Sequence, residues 1–212
     1  MKTINTKEDI VTRIVDAEWE MFHNVPNIGG TASCQQDRKT FEVNRTSQAM
    51  SWSEGILESY MNDLIEAKSS GRNLLTEKYG RMMESTSPEE YAQIKRWLPS
   101  LSREASLLIE EIIRITLKWD RAMQEKYPYI VRRSRPLYST EDTRSVTSME
   151  TYLRGELATY SLKTLKLYCK YARELESANI NMSENTLEYL MKSYGFKSVQ
   201  EANEKLGHEG NK

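Results

Sequence analysis

The sequence predicts an all-α protein, for three reasons. Apolar residues recur at the spacing of one helix face in nearly every segment of the 212-residue chain. Residues typical of helix starts and ends separate these segments. Only nine Gly and five Pro occur, which is too few for a sandwich or barrel built with many turns. We therefore expect a single-domain bundle of roughly eight helices over 1–212, with an ordered core of about 6–207 and a polar tail at 208–212.

The first half of the chain contains five recognisable helical segments. The first begins at Thr6, which forms a capping box with Asp9 and so satisfies free backbone N–H groups of the first turn. It ends at Pro26 and the Gly29-Gly30 pair, after which Thr31 or Ser33 can cap a second helix. The other three are marked by apolar residues over 56–65 and over 74–83, and by the Ser-Pro start signal at 87–90.

The second half contains the longest predicted helices. The segment from about 101 to 126 is apolar on several sides, so we predict that it is the buried central helix. The segment 127–146 has the composition of a loop. Ordered loops of this length usually take part in binding or catalysis. A long helix is predicted from about 148 to 178, and two shorter helices end at Gly195 and Gly207.

Composition excludes several classes of protein. Thirty basic against 31 acidic residues give a net charge of -1, which argues against a nucleic-acid or anionic-membrane partner. No segment approaches the roughly 18–20 apolar residues of a spanning helix, and the start MKTINTKEDI lacks the apolar region of a secretory signal. The two cysteines, Cys34 and Cys169, form no disulfide framework. These observations predict a cytoplasmic protein and identify no cofactor.

A metal site is not expected. Glu20 and His23 have the Glu-x-x-His spacing of di-iron carboxylate bundles, but such sites use a second motif of the same kind on another helix. The only other histidine, His208, has no Glu three residues before it. We therefore interpret His23 as a residue at the end of a helix.

The turn that contains Cys34 has two interpretations. It follows the Gly29-Gly30 pair and precedes a helix, where free backbone N–H groups would lower the pKa of a thiol. If a hairpin brings His23 close to Cys34, the pair would make a nucleophile. In the other interpretation, which we favour, Cys34 is a small structural residue that closes the hairpin.

The segment 150–160 is the most unusual in the chain. Tyr152, Glu156 and Tyr160 lie four residues apart, and Leu153 and Leu157 flank Glu156, which predicts a carboxylate directed into the core. A buried carboxylate requires a cation or several donors, and we expect an arginine partner to keep it ionised. The cluster is either a structural network or a ligand anchor in a pocket.

Four strings carry a resemblance to a known family: GGTASCQ (29–35), GRNLLTEKYGRMM (71–83), EKYP (125–128) and ETYLRGELATYS (150–161). Together they resemble the family catalogued as domain of unknown function 4125, over about 18–202. The resemblance implies a bacterial or archaeal protein and agrees with cytoplasmic placement. It implies no activity, cofactor or catalytic residue.

Two functions remain open from the sequence. In the first, the protein binds or transforms a small anionic metabolite in a polar pocket between helices. Its predicted catalytic residues are Cys34 and Glu156, and its predicted ligand-binding residues are Arg45, Tyr79, Arg135, Tyr152, Arg154 and Tyr160. In the second, the protein is a non-catalytic interaction module, such as a homodimer, that uses its Tyr- and Met-rich faces.

Overall fold

A computed structural model describes residues 6–27, 30–132 and 134–209. The all-α prediction is confirmed, since 76% of the chain is helical and no strand occurs in the described part. The described residues form eleven α-helices, against the roughly eight that apolar periodicity indicates. They are α1 (Lys7–His23), α2 (Arg38–Met50), α3 (Glu54–Ser69), α4 (Leu74–Thr86), α5 (Pro88–Ile94), α6 (Arg103–Lys126), α7 (Pro128–Val131), α8 (Met149–Leu157), α9 (Leu162–Ser177), α10 (Met182–Ser193) and α11 (Val199–Glu209).

Side-chain caps define most of the helix starts. The capping box of α1 is formed as predicted: the Asp9 N–H donates to Thr6 Oγ1 and the Thr6 N–H donates to the Asp9 carboxylate. Gly71, which separates α3 from α4, has φ +70°, a left-handed conformation that suits glycine. Side-chain oxygens also cap α2, α4, α6, α8, α9 and α10, through Asp37, Asn73, Ser102, Ser148, Ser161 and Asn181.

The apolar core has two parts. The larger, which we call the main core, is built by α1, α3, α6 and α9 with residues from α2, α4 and α8. The smaller, which we call the C-terminal core, comprises Met123, Tyr127, Ile130, Met191, Val199 and Ala202. Helices α6 and α10 contribute to both, so they connect the two.

Helix α6 is the predicted central helix, but its apolar residues are not buried on every side. Ile112 and Ile115 are fully buried, whereas Leu107 is 63% exposed. The helix therefore packs one broad face against α9, α10 and α8 and leaves another face to solvent.

The single long helix predicted from about 148 to 178 is wrong, because α8 ends at Leu157 and α9 begins at Leu162. At the break, Ser161 Oγ accepts the backbone N–H of Thr164 and caps α9. The N–H of Ser161 itself donates to Asp63 of α3 at 3.0 Å. This long-range contact satisfies a backbone group that a continuous helix would have bonded internally.

Two further expectations change. The predicted loop 127–146 contains α7 and a short 3₁₀ turn, Ser139–Glu141, although Arg133 lies outside the described residues. The last helix does not end at Gly207 but runs to Glu209, and 210–212 of the predicted tail lie outside the described part. No helix in the described ranges is both long and apolar enough to cross a membrane.

Candidate functional site

Four charged side chains meet in the interior, where charged groups are rarely found unless they are paired. They are Glu18 of α1, Arg45 of α2, Lys78 of α4 and Glu156 of α8, and they are respectively 1%, 8%, 2% and 4% exposed. We call them the ionic cluster. Its two carboxylates and two cations balance, so four helices are joined by a buried network without formal net charge.

Arg45 is the centre of the ionic cluster. Its Nε and Nη2 donate to the two oxygens of Glu18, with an Nε–Oε2 distance of 2.7 Å. Nη1 and Nη2 donate to Glu156 at 3.2 Å, and Nη1 also donates to Gln48 Oε1 at 2.6 Å. A guanidinium has five N–H donors, so these contacts occupy all of them.

Glu156 is likewise saturated. Its Oε2 accepts from Lys78 Nζ at 2.6 Å, and its Oε1 accepts from Gln48 at 3.0 Å and from the Tyr160 hydroxyl at 2.8 Å. Burial alone would raise the pKa of Glu156, but Arg45 and Lys78 hold it well below its usual range. The carboxylate is therefore ionised, with an arginine partner as expected, and it has little capacity to exchange protons at neutral pH.

Tyrosines surround the ionic cluster. The Tyr60 hydroxyl donates to Glu18 at 2.7 Å, and burial followed by the Glu18 charge raises the pKa of Tyr60. Lys78 Nζ lies 3.5 Å from the centre of the Tyr152 ring and lowers the pKa of Tyr152. Burial and then the neighbouring Tyr152 raise the pKa of Tyr79, which is half-buried.

The structure brings together five predicted site residues: Arg45, Glu156, Tyr160, Tyr152 and, at the margin, Tyr79. Sequence reasoning missed Glu18 and Lys78. A signal for both was present, because each occupies a core position in the four-residue repeat of its helix, as in Leu74, Lys78 and Met82. A charged residue at such a position indicates a buried partner elsewhere in the fold.

A cavity of about 480 Å³ lies beside the ionic cluster. It opens between α2, α6, α8, α10 and the stretches 130–131 and 134–137, and Arg45, Gln48 and Glu156 form part of its wall. Trp52, Tyr168 and Met182 of the main core form another part, while Met123 and Ile130 of the C-terminal core also line it. The cavity therefore lies at the junction of the two cores.

Polar groups form part of the cavity wall. Asp120 and Ser183 line it, and burial raises the pKa of Asp120 to about 6 against the opposing effect of Ser183. Thr116, one helical turn before Asp120, is also a lining residue, but its Oγ1 atom is enclosed by protein. The wall therefore offers a carboxylate and a hydroxyl group to a bound molecule.

Arg135 and Arg154 lie apart from the ionic cluster. Arg135 is exposed at the rim of the cavity, where its guanidinium lies 5.1 Å from the centre of the Tyr152 ring and donates to the Thr147 carbonyl. Arg154 points away from the cavity and pairs with Glu110 and Glu150. It lines a second cavity of about 460 Å³ on the other side of α8.

The predicted nucleophile is also separate from the cavity. Cys34 is exposed in a 3₁₀ turn, Ser33–Gln36, that precedes α2, and Gly29 of the predicted turn lies outside the described residues. His23 Nδ1 lies 3.1 Å from the carbonyl of Gln35, not against the thiol. Glu20 pairs with Lys68, and no group of three or more His, Cys, Asp or Glu in the described part could hold a metal.

The model of a family described as "Protein of unknown function (DUF4125)" matches residues 8–204. The chain belongs to this family. The matched range contains all four residues of the ionic cluster and all the residues that line the cavity. Neither a curated protein nor a solved structure matches the chain significantly.

Proposed function

We propose that this DUF4125 protein binds a small organic molecule in the cavity beside the ionic cluster. The observation that carries the proposal is the cavity at the junction of the two cores, whose mostly apolar wall includes polar side chains such as Asp120 and Ser183. A volume of about 480 Å³ falls in the range of roughly 300–1,000 Å³ that is typical of ligand sites.

The position of the charges supports an anionic group at the rim of the cavity. Arg45 has no free donor, because Glu18, Glu156 and Gln48 occupy its guanidinium. Arg135 lies at the rim with a single hydrogen bond to a backbone carbonyl, and a guanidinium can bind a carboxylate or phosphate with two parallel bonds. We therefore assign the anionic end of the ligand to Arg135.

The proposal is one of binding. Glu156, the predicted catalytic carboxylate, is ionised and saturated by its partners, which fits a residue that holds the cavity wall in place. Cys34, the predicted nucleophile, is not part of the cavity wall.

The test is to block the cavity and follow ligands. Native mass spectrometry of the purified protein, followed by identification of the released metabolite, should reveal a bound small molecule. Leu187→Trp adds bulk at a residue of the cavity wall, whereas Asn185→Trp places the same side chain at an exposed position of the same helix. The first variant should lose the ligand and the second should retain it. Equal occupancy in both variants would contradict the proposal.

A second candidate function is self-association, which three exposed apolar residues before and within α6 favour. Trp97 is 74% exposed, Leu107 is 63% exposed and Leu101 is 38% exposed. Exposed large apolar side chains are candidates for interface contacts. Sedimentation velocity over a wide concentration range tests this candidate: a dimer that Trp97→Ser dissociates supports it, and a monomer at every concentration rejects it.

A further inference from the structure

The inner wall of the cavity is formed by one face of α6 and one face of α10. Thr116, Asp120 and Met123 of α6 lie at helical spacing, and Ser183 and Leu187 of α10 lie across from them in the lining of the same cavity. This end is distinct from the ionic cluster, which belongs to α1, α2, α4 and α8.

Asp120 is the acidic group at this end of the cavity. Its side chain is partly exposed and lines the cavity, whereas Glu18 and Glu156 are buried and share Arg45. Among the described residues no basic side chain offsets the charge of Asp120. A cation that enters the cavity would therefore meet a carboxylate that no cation of the protein neutralises.

The neighbouring groups fit the same partner. Ser183 lines the same end of the cavity, and its hydroxyl group can accept an N–H. Trp52 and Tyr168 contribute aromatic rings to the cavity wall, their centroids 5.8 Å apart. Aromatic rings attract cations.

Resting on the proposed function, we propose that the α6 end of the cavity binds a cationic amine or amidine group of the ligand, with Asp120 as its counter-ion and Ser183 as a further acceptor. With Arg135 at the rim, the ligand class is then a small amphipathic molecule that carries a cationic group at one end and an anionic group at the other. A metal is a poorer occupant, because a single carboxylate is the only charged group at this end of the described cavity wall.

The experiment compares probes that share an apolar body and differ at one end. Phenethylamine and 2-phenylethanol are titrated into the purified protein by isothermal calorimetry, with 3-phenylpropanoate as the anionic member of the series. The amine should bind about tenfold or more tightly than the alcohol, because an ionised pair adds a charge-assisted hydrogen bond. Asp120→Asn should remove this preference and leave the affinity for the alcohol unchanged.

Controls separate the two proposals. Glu58→Gln removes an exposed carboxylate of α3 and should leave both affinities as they are in the parent. If the alcohol binds as tightly as the amine, or if Asp120→Asn retains the preference, the assignment of Asp120 is wrong while the cavity remains a binding site. If no probe binds to the parent or if Leu187→Trp binds all of them equally well, the proposed function fails and this inference fails with it.

Discussion

Glu156 neutralises part of the positive charge in the ionic cluster. Its replacement measures how much the buried ion pairs contribute to the free energy of unfolding. Glu156→Gln keeps the shape of the side chain but leaves Arg45 and Lys78 with the single carboxylate of Glu18. Breaking a buried pair in this way typically costs about 3–5 kcal/mol of unfolding free energy. Urea denaturation followed by circular dichroism measures it. Glu110→Gln, which removes an exposed partner of Arg154, should cost about 1 kcal/mol or less.

The same cluster predicts a specific rescue. Lys78→Met in the Glu156→Gln background removes one cation and restores a balance of one Arg45 to one Glu18. The double variant should therefore be destabilised by less than the sum of the two single variants. Strict additivity in the double-mutant cycle would mean that Lys78 and Glu156 do not interact.

Acid should also weaken the cluster. The pKa of Glu156 in the folded protein lies below its ordinary value of 4.5 because Arg45 and Lys78 outweigh burial. Its contribution to stability is then complete above the unfolded-state value and is lost as the pH falls towards the folded-state value. Glu156→Gln should be less sensitive to acid than the parent over this interval.

Asp120 predicts the opposite dependence on pH. Burial raises its pKa from 3.8 to about 6, so the folded state disfavours the ionised form. In the protein without ligand, Asp120 should cost stability as the pH rises from about 4 to about 6, and the cost should persist above that range. Asp120→Asn should therefore stabilise the protein at pH 7–8 by about 1–3 kcal/mol and have little effect near pH 4. Thermal unfolding at both pH values checks this, and a variant that is destabilised at pH 7–8 would contradict it.

At the scale of single residues, the sequence predicts half of the ionic cluster. Glu156 is recognisable because two leucines flank it, and an arginine partner follows from the cost of burying a charge. Asp120 is not recognisable in this way, since a single Asp near Trp119 on an amphipathic helix is equally consistent with an exposed face. Its surroundings depend on where α10 packs, which is tertiary information.

At the scale of helices, Gly155 sets the approach of α8 to α4. A Cβ at this position would lie 2.9 Å from Met82 Cγ and 3.0 Å from the Lys78 carbonyl oxygen. Gly155→Ala should therefore destabilise the protein by about 1–3 kcal/mol, although alanine is the better helix former. Gly55→Ala is the matched control, because nothing lies within 4 Å of its Cβ position in α3, and it should be neutral or stabilising by up to about 1 kcal/mol. Chemical denaturation of both variants measures the contrast. Equal effects would mean that the α4–α8 contact accommodates the methyl group.

The break between α8 and α9 could not be predicted from local sequence patterns. Apolar periodicity continues through Tyr160, and Ser161 has no Glu or Gln three residues later to signal a capping box. What stabilises the break is Asp63, which accepts the Ser161 N–H from a helix that is 98 positions away in the chain. Local patterns therefore predict the helical segments, and long-range contacts decide where one helix becomes two.

At the scale of the whole molecule, the two cores should differ in stability. The C-terminal core is small, and α11 packs mainly on α7 and α10. Small peripheral clusters open at lower free energy than the main core of a protein. Hydrogen exchange measured by mass spectrometry should therefore show faster exchange in α7 and α11 than in α3 and α9.

Matched substitutions separate the two cores. Val199 is 0% exposed in the C-terminal core and Val15 is 4% exposed in the main core. Each Val→Ala change removes buried methyl groups and should cost about 1–3 kcal/mol. Val199→Ala should accelerate exchange in α7, α10 and α11 alone, whereas Val15→Ala should accelerate it throughout the chain.

A ligand in the junction cavity contacts both cores, so its binding should slow exchange in α7 and α10 of the Val199→Ala variant. If Val199→Ala accelerates exchange equally in α3 and α9, the two cores unfold as one unit, and a ligand at their junction would then protect the whole chain to the same extent.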